Sequence, residues 1–112
     1  MKKIEAIVRP HKMDDVREAL HEIGVTGMTI SEVKGIGKQK GHTETYRGSE
    51  YEINFVPKAM LMVVVPDGNE EQVISTVLRI AKTGEVGDGK IFVSTIDQAI
   101  RVRTEESGES AL

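Results

Sequence analysis

A glycine-rich stretch, TGEVGDGKIF at residues 83–92, combines three glycines with a lysine and could bind an anion. Gly84, four further residues and then Gly89-Lys90 nearly match the phosphate-binding pattern G-x-x-x-x-G-K-[ST]. The match fails at Ile91, which has no hydroxyl to offer a magnesium ion. The predicted order is also helix to strand, the reverse of a true P-loop. Backbone N–H groups of the glycines could still approach an anion, and a purely structural turn explains the pattern equally well.

Two arginines near the end of the sequence offer guanidinium groups that suit phosphate. Arg101 and Arg103 alternate in RVRT, so an extended segment would direct both side chains to the same face. Guanidinium groups bind phosphate oxygens in pairs, and Lys90 adds a third positive charge. The pattern therefore favours a polyphosphate clamp, with a solvated basic edge that discourages sheet aggregation as the alternative.

No combination of residues resembles a catalytic centre. The three histidines, His11, His21 and His42, lack the spacing of metal ligands. The sequence has no cysteine, which excludes disulfides and thiolate metal sites and fits a reducing compartment. A net charge of −3 argues against a general nucleic-acid binder. We therefore expect a binding protein without catalytic residues.

Hydrophobic periodicity predicts two strand–helix–strand units that would position these residues. Strands are predicted at 3–9, 28–34, 59–65 and 90–96, and helices at 12–23 and 70–82. The length of 112 residues suits one compact domain. Two such units in tandem predict an α+β fold, a ferredoxin-like double βαβ with both helices on one face of the sheet.

The predicted strand at 59–65, AMLMVVV, is apolar on both faces. Met60 and Met62 point to one face, while Leu61 and Val63 point to the other. The two helices can cover only one of these faces. We expect the other to pack against a second subunit, since contiguous exposed apolar surface usually marks an interface. A small uncovered patch is the alternative.

The segment between the two units, residues 35–57, is far longer than an ordinary hairpin connection. It carries four glycines, mixed charges and no sustained period, although SEYEINF at 49–55 partly alternates and could be strand. Tyr46 and Tyr51 stand out in a sequence that is only 4% aromatic. These features predict a partner-binding arm, with packing of both rings against the base of the loop as the alternative.

Three long motifs, KGIGKQKGHTETYRGSEYEINFVPK, TGEVGDGKIFV and IRVRT, together resemble the PII nitrogen-regulatory signal proteins of the GlnB/GlnK class. The similarity covers almost the whole sequence, including the opening KKIEAIVRP. It implies a cytoplasmic regulator of nitrogen metabolism without turnover, built as a ferredoxin-like homotrimer. It further implies that ATP or ADP binds between subunits, and that 2-oxoglutarate binds together with Mg²⁺ and ATP.

The resemblance also assigns regions within the single domain at 1–112. Residues 35–57 would form the partner-binding loop, 83–90 the nucleotide loop and 101–112 a C-terminal segment. The implied partners, which would contact residues 37–55, are nitrogen-metabolism enzymes, transcription factors or an ammonium transporter. Contact with a membrane is expected only through such a transporter, and no direct contact with nucleic acid is expected.

Ligand residues follow from the same resemblance, position by position. The implied ATP or ADP site comprises Thr29, Gly35, Gly37, Lys38, Val64, Gly87, Asp88, Gly89, Lys90, Arg101 and Arg103. The implied 2-oxoglutarate site comprises Gln39, Lys40, Gly41 and Lys58, with a carbonyl oxygen of Gln39 on Mg²⁺ and Lys58 paired with a ligand carboxylate. Tyr51 and Ser49 match modified positions of the family, and Arg47 matches a residue that enters ammonium channels.

The sequence departs from the usual family pattern at a few of these places. Lys38 replaces a frequent arginine, Met60 and Met62 replace residues that are commonly charged, and Glu105 stands where glycine is usual.

Two other function classes remain as alternatives. A ferredoxin-like RNA-binding module would need stacking aromatics on its strands, and a small nucleotide phosphohydrolase would need a positioned base.

Overall fold

The computed structural model describes residues 1–36 and 54–112. The regular elements are β1 (Lys2–Val8), α1 (Met13–Glu22), β2 (Thr29–Gly35), β3 (Val56–Val65), α2 (Glu70–Ala81) and β4 (Lys90–Thr95). Short 3-10 turns follow at Pro10–Lys12, Asp67–Asn69 and Gly108–Ala111. The six predicted elements are confirmed, and each end lies within one residue of its predicted position except the start of β3, which lies three residues earlier.

The four strands form one sheet in the order β2-β3-β1-β4, and every pairing in it is antiparallel. Each strand–helix–strand unit therefore has a strand of the other unit inserted between its own two strands. In the register, Ile4 of β1 faces Val63 of β3 on one side and Val93 of β4 on the other. This interleaving confirms the predicted ferredoxin-like fold.

The core lies between the sheet and the two helices. Val16 and Leu20 of α1 and Val73 and Val77 of α2 are buried against the strands because they recur at helical spacing. The strands contribute the alternate residues Ile4, Ala6, Val8, Leu61, Val63 and Val65. Complete burial of a side chain such as Leu61 contributes about 1.5–3 kcal/mol to folding. The helices thus cover one face of the sheet.

The other face of the sheet has no helix over it among the elements described above, and we call it the open face. It bears the remaining alternate residues: Lys3, Glu5 and Ile7 of β1, Thr29, Ser31, Val33 and Gly35 of β2, Lys58, Met60, Met62 and Val64 of β3, and Lys90, Phe92 and Ser94 of β4. Met60 and Met62 are only partly buried there, and Phe92 is 53% exposed. The predicted two-faced apolar strand is therefore confirmed within one chain.

The long segment between the two units is shorter than predicted at both ends. Gly35 is the last residue of β2 and pairs with Val56, the first residue of β3. Pro57 is tolerated in β3 because it lies at the second position, where the ladder has only begun. Residues 54–55 lie outside any strand, and 49–53 of the predicted strand fall outside the described residues.

Candidate functional site

The glycine turn, residues 82–89, connects α2 to β4 and lies directly against the end of β1. Gly84, Gly87 and Gly89 have φ angles of 90°, 106° and 97°, a region that other residues rarely adopt. A Cβ atom at Gly89 would lie 1.7 Å from the carbonyl oxygen of Ile7. Glycine at 89 is therefore required by packing, whatever ligand the turn binds.

The carboxylate of Asp88 holds this turn together from inside. It accepts hydrogen bonds from the backbone N–H groups of Thr83 and Gly84, both at 2.8 Å, and from the hydroxyl of Thr83. Arg9 donates to it from β1's end at 3.0 Å. The Thr83 hydroxyl, the two N–H groups and the Arg9 charge together lower the pKa of Asp88 to about 2. Asp88 is thus an anchor for the turn in this structure.

Two cations converge on the same turn. Arg9 donates to the carbonyl of Val86 at 3.0 Å, and the ammonium of Lys58 donates to the carbonyl of Gly87. Burial, followed by the charge of Arg9, lowers the pKa of Lys58, and the opposite charge of Asp88 only partly offsets this. An anion bound here would relieve the repulsion between Arg9 and Lys58. The cluster can therefore bind a carboxylate or phosphate oxygen.

Arg9 is a residue that the sequence analysis missed. The sequence alone does not place Arg9 beside Lys58, because their proximity depends on the strand register. Val8 pairs with Ala59, and the next positions along the two strands are Arg9 and Lys58. Gly35 belongs to the same end of the sheet, since a Cβ there would lie 3.6 Å from the Lys58 side chain. Lys90 is also nearby, paired with Ile7 at the start of β4.

Thr29 and Val64 lie at the opposite end of the open face. There a cleft of about 390 Å³ runs between the α1–β2 connection, the end of β3 and the C-terminal residues. It is lined by Ile23, Gly24, Val25, Thr26, Gly27, Thr29, Met62, Val63, Val64, Val65, Asn69, Ala111 and Leu112. This lining has no charged side chain, which suits an uncharged, partly apolar group such as a nucleotide base.

The prediction that Arg101 and Arg103 lie in an extended segment is wrong. Residues 102–104 form a turn, closed by hydrogen bonds of 2.8 Å from Glu105 N–H to the Arg101 carbonyl and from Arg101 N–H to the Glu106 carbonyl. These local backbone bonds bend the chain, so alternation does not set the direction of the two side chains. The guanidinium of Arg101 contacts the Glu106 carboxylate and the main-chain oxygen of Leu112, both at 3.3 Å.

One chain therefore brings the predicted ligand residues into two separate groups. Lys58 faces Val33 and Met62 faces Thr29 in the register, which separates the two groups by roughly 13 Å along β3 at strand rise. The first group joins Gly35, Lys58 and the glycine turn with Lys90. The second joins Thr29 and Val64 with the C-terminal segment that carries Arg101, since Leu112 lines the second cleft.

Other predicted residues lie outside the described part of the chain. They are Gly37, Lys38, Gln39, Lys40, Gly41, Arg47, Ser49 and Tyr51. Within residues 1–36 and 54–112, no group of three histidine or acidic side chains could hold a metal ion. Among the helices that the structure describes, none is long and apolar enough to cross a membrane.

Comparisons with known proteins show which proteins this chain resembles in sequence and fold. The model of a family described as "Nitrogen regulatory protein P-II" matches residues 1–106. Nitrogen regulatory protein P-II 1 of Escherichia coli (strain K12) is 55% identical over 112 residues, and the P-II protein of Haemophilus influenzae is 57% identical, with full coverage of both chains in each case. The solved structure of GlnK from B. subtilis has a TM-score of 0.81 and 43% identity, covering 99% of this chain and 97% of that one.

The packing of the glycine turn predicts different costs for two similar substitutions. Gly84→Ala should lower the free energy of unfolding by about 1–2 kcal/mol, because the φ of residue 84 is strained for alanine but nothing lies within 4 Å of the new Cβ. Gly89→Ala should cost well above that, toward about 4 kcal/mol, because β1 backbone must move as well. Denaturant unfolding at one protein concentration measures both, and equal costs would contradict the packing described here.

The lowered pKa of Asp88 predicts that the protein loses part of its stability in acid. Because its pKa is lowered to about 2, its ionised form stabilises the fold above pH 4, and this contribution disappears as the pH falls from about 4 to about 2. The stability difference between wild type and Asp88→Asn should therefore be present at pH 5 and shrink toward pH 2. Asp97→Asn, at an exposed aspartate, is the control. A difference that does not change with pH would show that the carboxylate does not anchor the turn.

Proposed function

Because this chain belongs to the nitrogen regulatory protein P-II family, we propose that it senses ATP or ADP and 2-oxoglutarate at sites between the subunits of a homotrimer. It is a nitrogen-regulatory signal-transduction protein and not an enzyme, as the names of its relatives indicate. The observation that carries the ligand proposal is the convergence of Lys58 and Arg9 on the glycine turn.

The division of the ligand residues into two groups supports sites between subunits. A group at one end of the sheet can meet the group at the other end of a second copy if the copies pack head to tail. Such contacts between identical chains generate a ring when the rotation closes. The partly apolar open face, with Met60 and Met62, would then be buried in the assembly. The number three is taken from the family.

In this arrangement the nucleotide lies across two chains. The uncharged cleft with Thr29 and Val64 would hold the base, and Arg101 and Arg103 of the same chain would bind phosphates. The glycine turn and Lys90 of the neighbouring chain would contribute backbone N–H groups and an ammonium to the same phosphates. Gly37 and Lys38 would complete the nucleotide site from the segment outside the described residues.

The cluster of Arg9 and Lys58 would bind a carboxylate of 2-oxoglutarate. Lys40 and Gly41 would contribute to this site, and Gln39 would offer a carbonyl oxygen to Mg²⁺. Oxygen ligands of this kind suit Mg²⁺, which protein sites commonly bind together with substrate phosphates. When bound, the cation would neutralise phosphate and carboxylate charge, so that 2-oxoglutarate binds appreciably only with Mg²⁺ and ATP.

The segment 37–55 would carry the response to partners. Gln39 lies near its start, so that a ligand there could favour one arrangement of the segment over another. Arg47, Ser49 and Tyr51 would then contact a transporter, enzyme or transcription factor, and Tyr51 or Ser49 would be the modified residue. The protein would act in the cytoplasm.

The RNA-binding alternative has little support, because Phe92 is the only aromatic side chain on the four described strands.

Substitution of Lys58 tests the carboxylate site. A hydrogen bond to a charged group contributes about 1.5–3 kcal/mol, so Lys58→Met should weaken 2-oxoglutarate binding roughly ten- to a hundredfold in the presence of Mg²⁺ and ATP. Binding of ATP alone should change much less. Lys34→Met removes an exposed lysine from the helix-covered face of the neighbouring strand and should leave both affinities unchanged. Isothermal titration calorimetry measures all of these affinities.

The same titrations examine the linkage between the two ligands. If 2-oxoglutarate binds with ATP, it must tighten ATP by the same factor by which ATP tightens 2-oxoglutarate. Equal affinity for 2-oxoglutarate with and without Mg²⁺ and ATP would refute the scheme. A Lys58→Met variant that binds 2-oxoglutarate as tightly as the wild type would show that Lys58 is not part of the site.

A further inference from the structure

Arg101 already has anionic and polar partners within its own chain. One guanidinium nitrogen lies 3.3 Å from a carboxylate oxygen of Glu106, and the other donates to the main-chain oxygen of Leu112 at 3.3 Å. Both side chains of the ion pair are partly exposed, at 38% for Arg101 and 44% for Glu106. The pair is therefore open to exchange with a ligand in solution.

The backbone of the C-terminal turn fixes this pairing. Ile100 and Ser107 form a bridge, and Arg101 N–H donates to the Glu106 carbonyl at 2.8 Å, so that the two residues face each other across the neck of the turn. Glu105 completes the turn with a φ of 60°, which is uncommon for a residue other than glycine. The side chains of Arg101 and Glu106 are thus held within reach by the chain itself.

The partners of Arg101 use the donors that a phosphate would need. A guanidinium group offers its N–H donors in one plane, and here Glu106 accepts from one terminal nitrogen and Leu112 from the other, where two phosphate oxygens could bind instead. A phosphate that binds both terminal nitrogens of Arg101 must displace Glu106 from one and Leu112 from the other. When only a fraction of the chains has Arg101 free, the apparent dissociation constant rises by the inverse of that fraction.

We propose that Glu106 is an intramolecular competitor for Arg101 and lowers the affinity of this site for polyphosphate anions. This inference rests on the proposed function, in which Arg101 binds nucleotide phosphates. In this proposal Glu106 does not touch the ligand and affects its binding only through Arg101. A supporting role, in which Glu106 orients Arg101 toward the ligand, predicts the opposite sign, because its loss would weaken binding.

The test compares ATP affinity in two matched variants. Glu106→Gln keeps the size of the side chain and removes the charge that competes for Arg101. Glu105→Gln removes the same charge one residue earlier, from a side chain that has no hydrogen bond or ion pair to Arg101 among the described contacts. Calorimetry with ATP, without 2-oxoglutarate, should show about 1.4- to fivefold tighter binding for Glu106→Gln, the range that exposed ion pairs span. Glu105→Gln should change ATP affinity less than that.

A double substitution separates competition from a general effect of charge. In an Arg101→Ala background, Glu106→Gln should no longer tighten ATP, because no guanidinium remains to be released. Unchanged or weaker binding by Glu106→Gln in the wild-type background would overturn the proposal. Equal tightening by Glu105→Gln, or tightening that persists without Arg101, would overturn it as well. If the wild-type chain does not bind ATP at all, the proposed function fails, and this inference fails with it.

Discussion

The close approach of the glycine turn to β1 is the constraint on which the site depends. Because a Cβ at residue 89 would lie 1.7 Å from the Ile7 carbonyl oxygen, the turn fits only with glycine there. Asp88 then fixes the rest of the turn by accepting the N–H groups of Thr83 and Gly84. This brings the carbonyls of Val86 and Gly87 to Arg9 and Lys58. A cationic cluster is thus assembled from three separate parts of the chain by one tight backbone contact.

The glycine turn brings cationic residues together, whereas the interleaved sheet keeps the other proposed ligand residues apart. Its strands carry the glycine turn and Lys58 at one end and Thr29 and Val64 at the other, so the two groups lie roughly 13 Å apart within one chain. The open face between them carries the partly exposed apolar side chains of Met60, Met62 and Phe92, which a second chain could cover. This division of the residues is the basis for the proposal that a second chain completes the site.

Much of this could be predicted from the sequence. The elements were predictable because Val16 and Leu20, or Leu61 and Val63, recur with the periods of a helix and a strand. The turn after Arg101 was not predictable, because RVRT alternates like a strand. The hydrogen bonds that close this turn join Arg101 to backbone groups of Glu105 and Glu106. Arg9 and Lys58 are distant in sequence, and only the pairing of β1 with β3 places them together. Local patterns thus predicted the scaffold, whereas contacts set by register did not follow from them.

The most direct measurement of the shared site is a subunit-mixing experiment. One variant carries Lys90→Ala, and the other carries Arg101→Ala with Arg103→Ala, so each homo-oligomer has only defective sites. In a head-to-tail trimer that contains both variants, one interface joins an intact Lys90 to intact arginines. Differently tagged chains, co-expressed and purified through both tags, should regain tight ATP binding at about one site per trimer. No recovery in the mixed assembly, or a stable monomer near 12.3 kDa in light scattering, would contradict sites formed between copies.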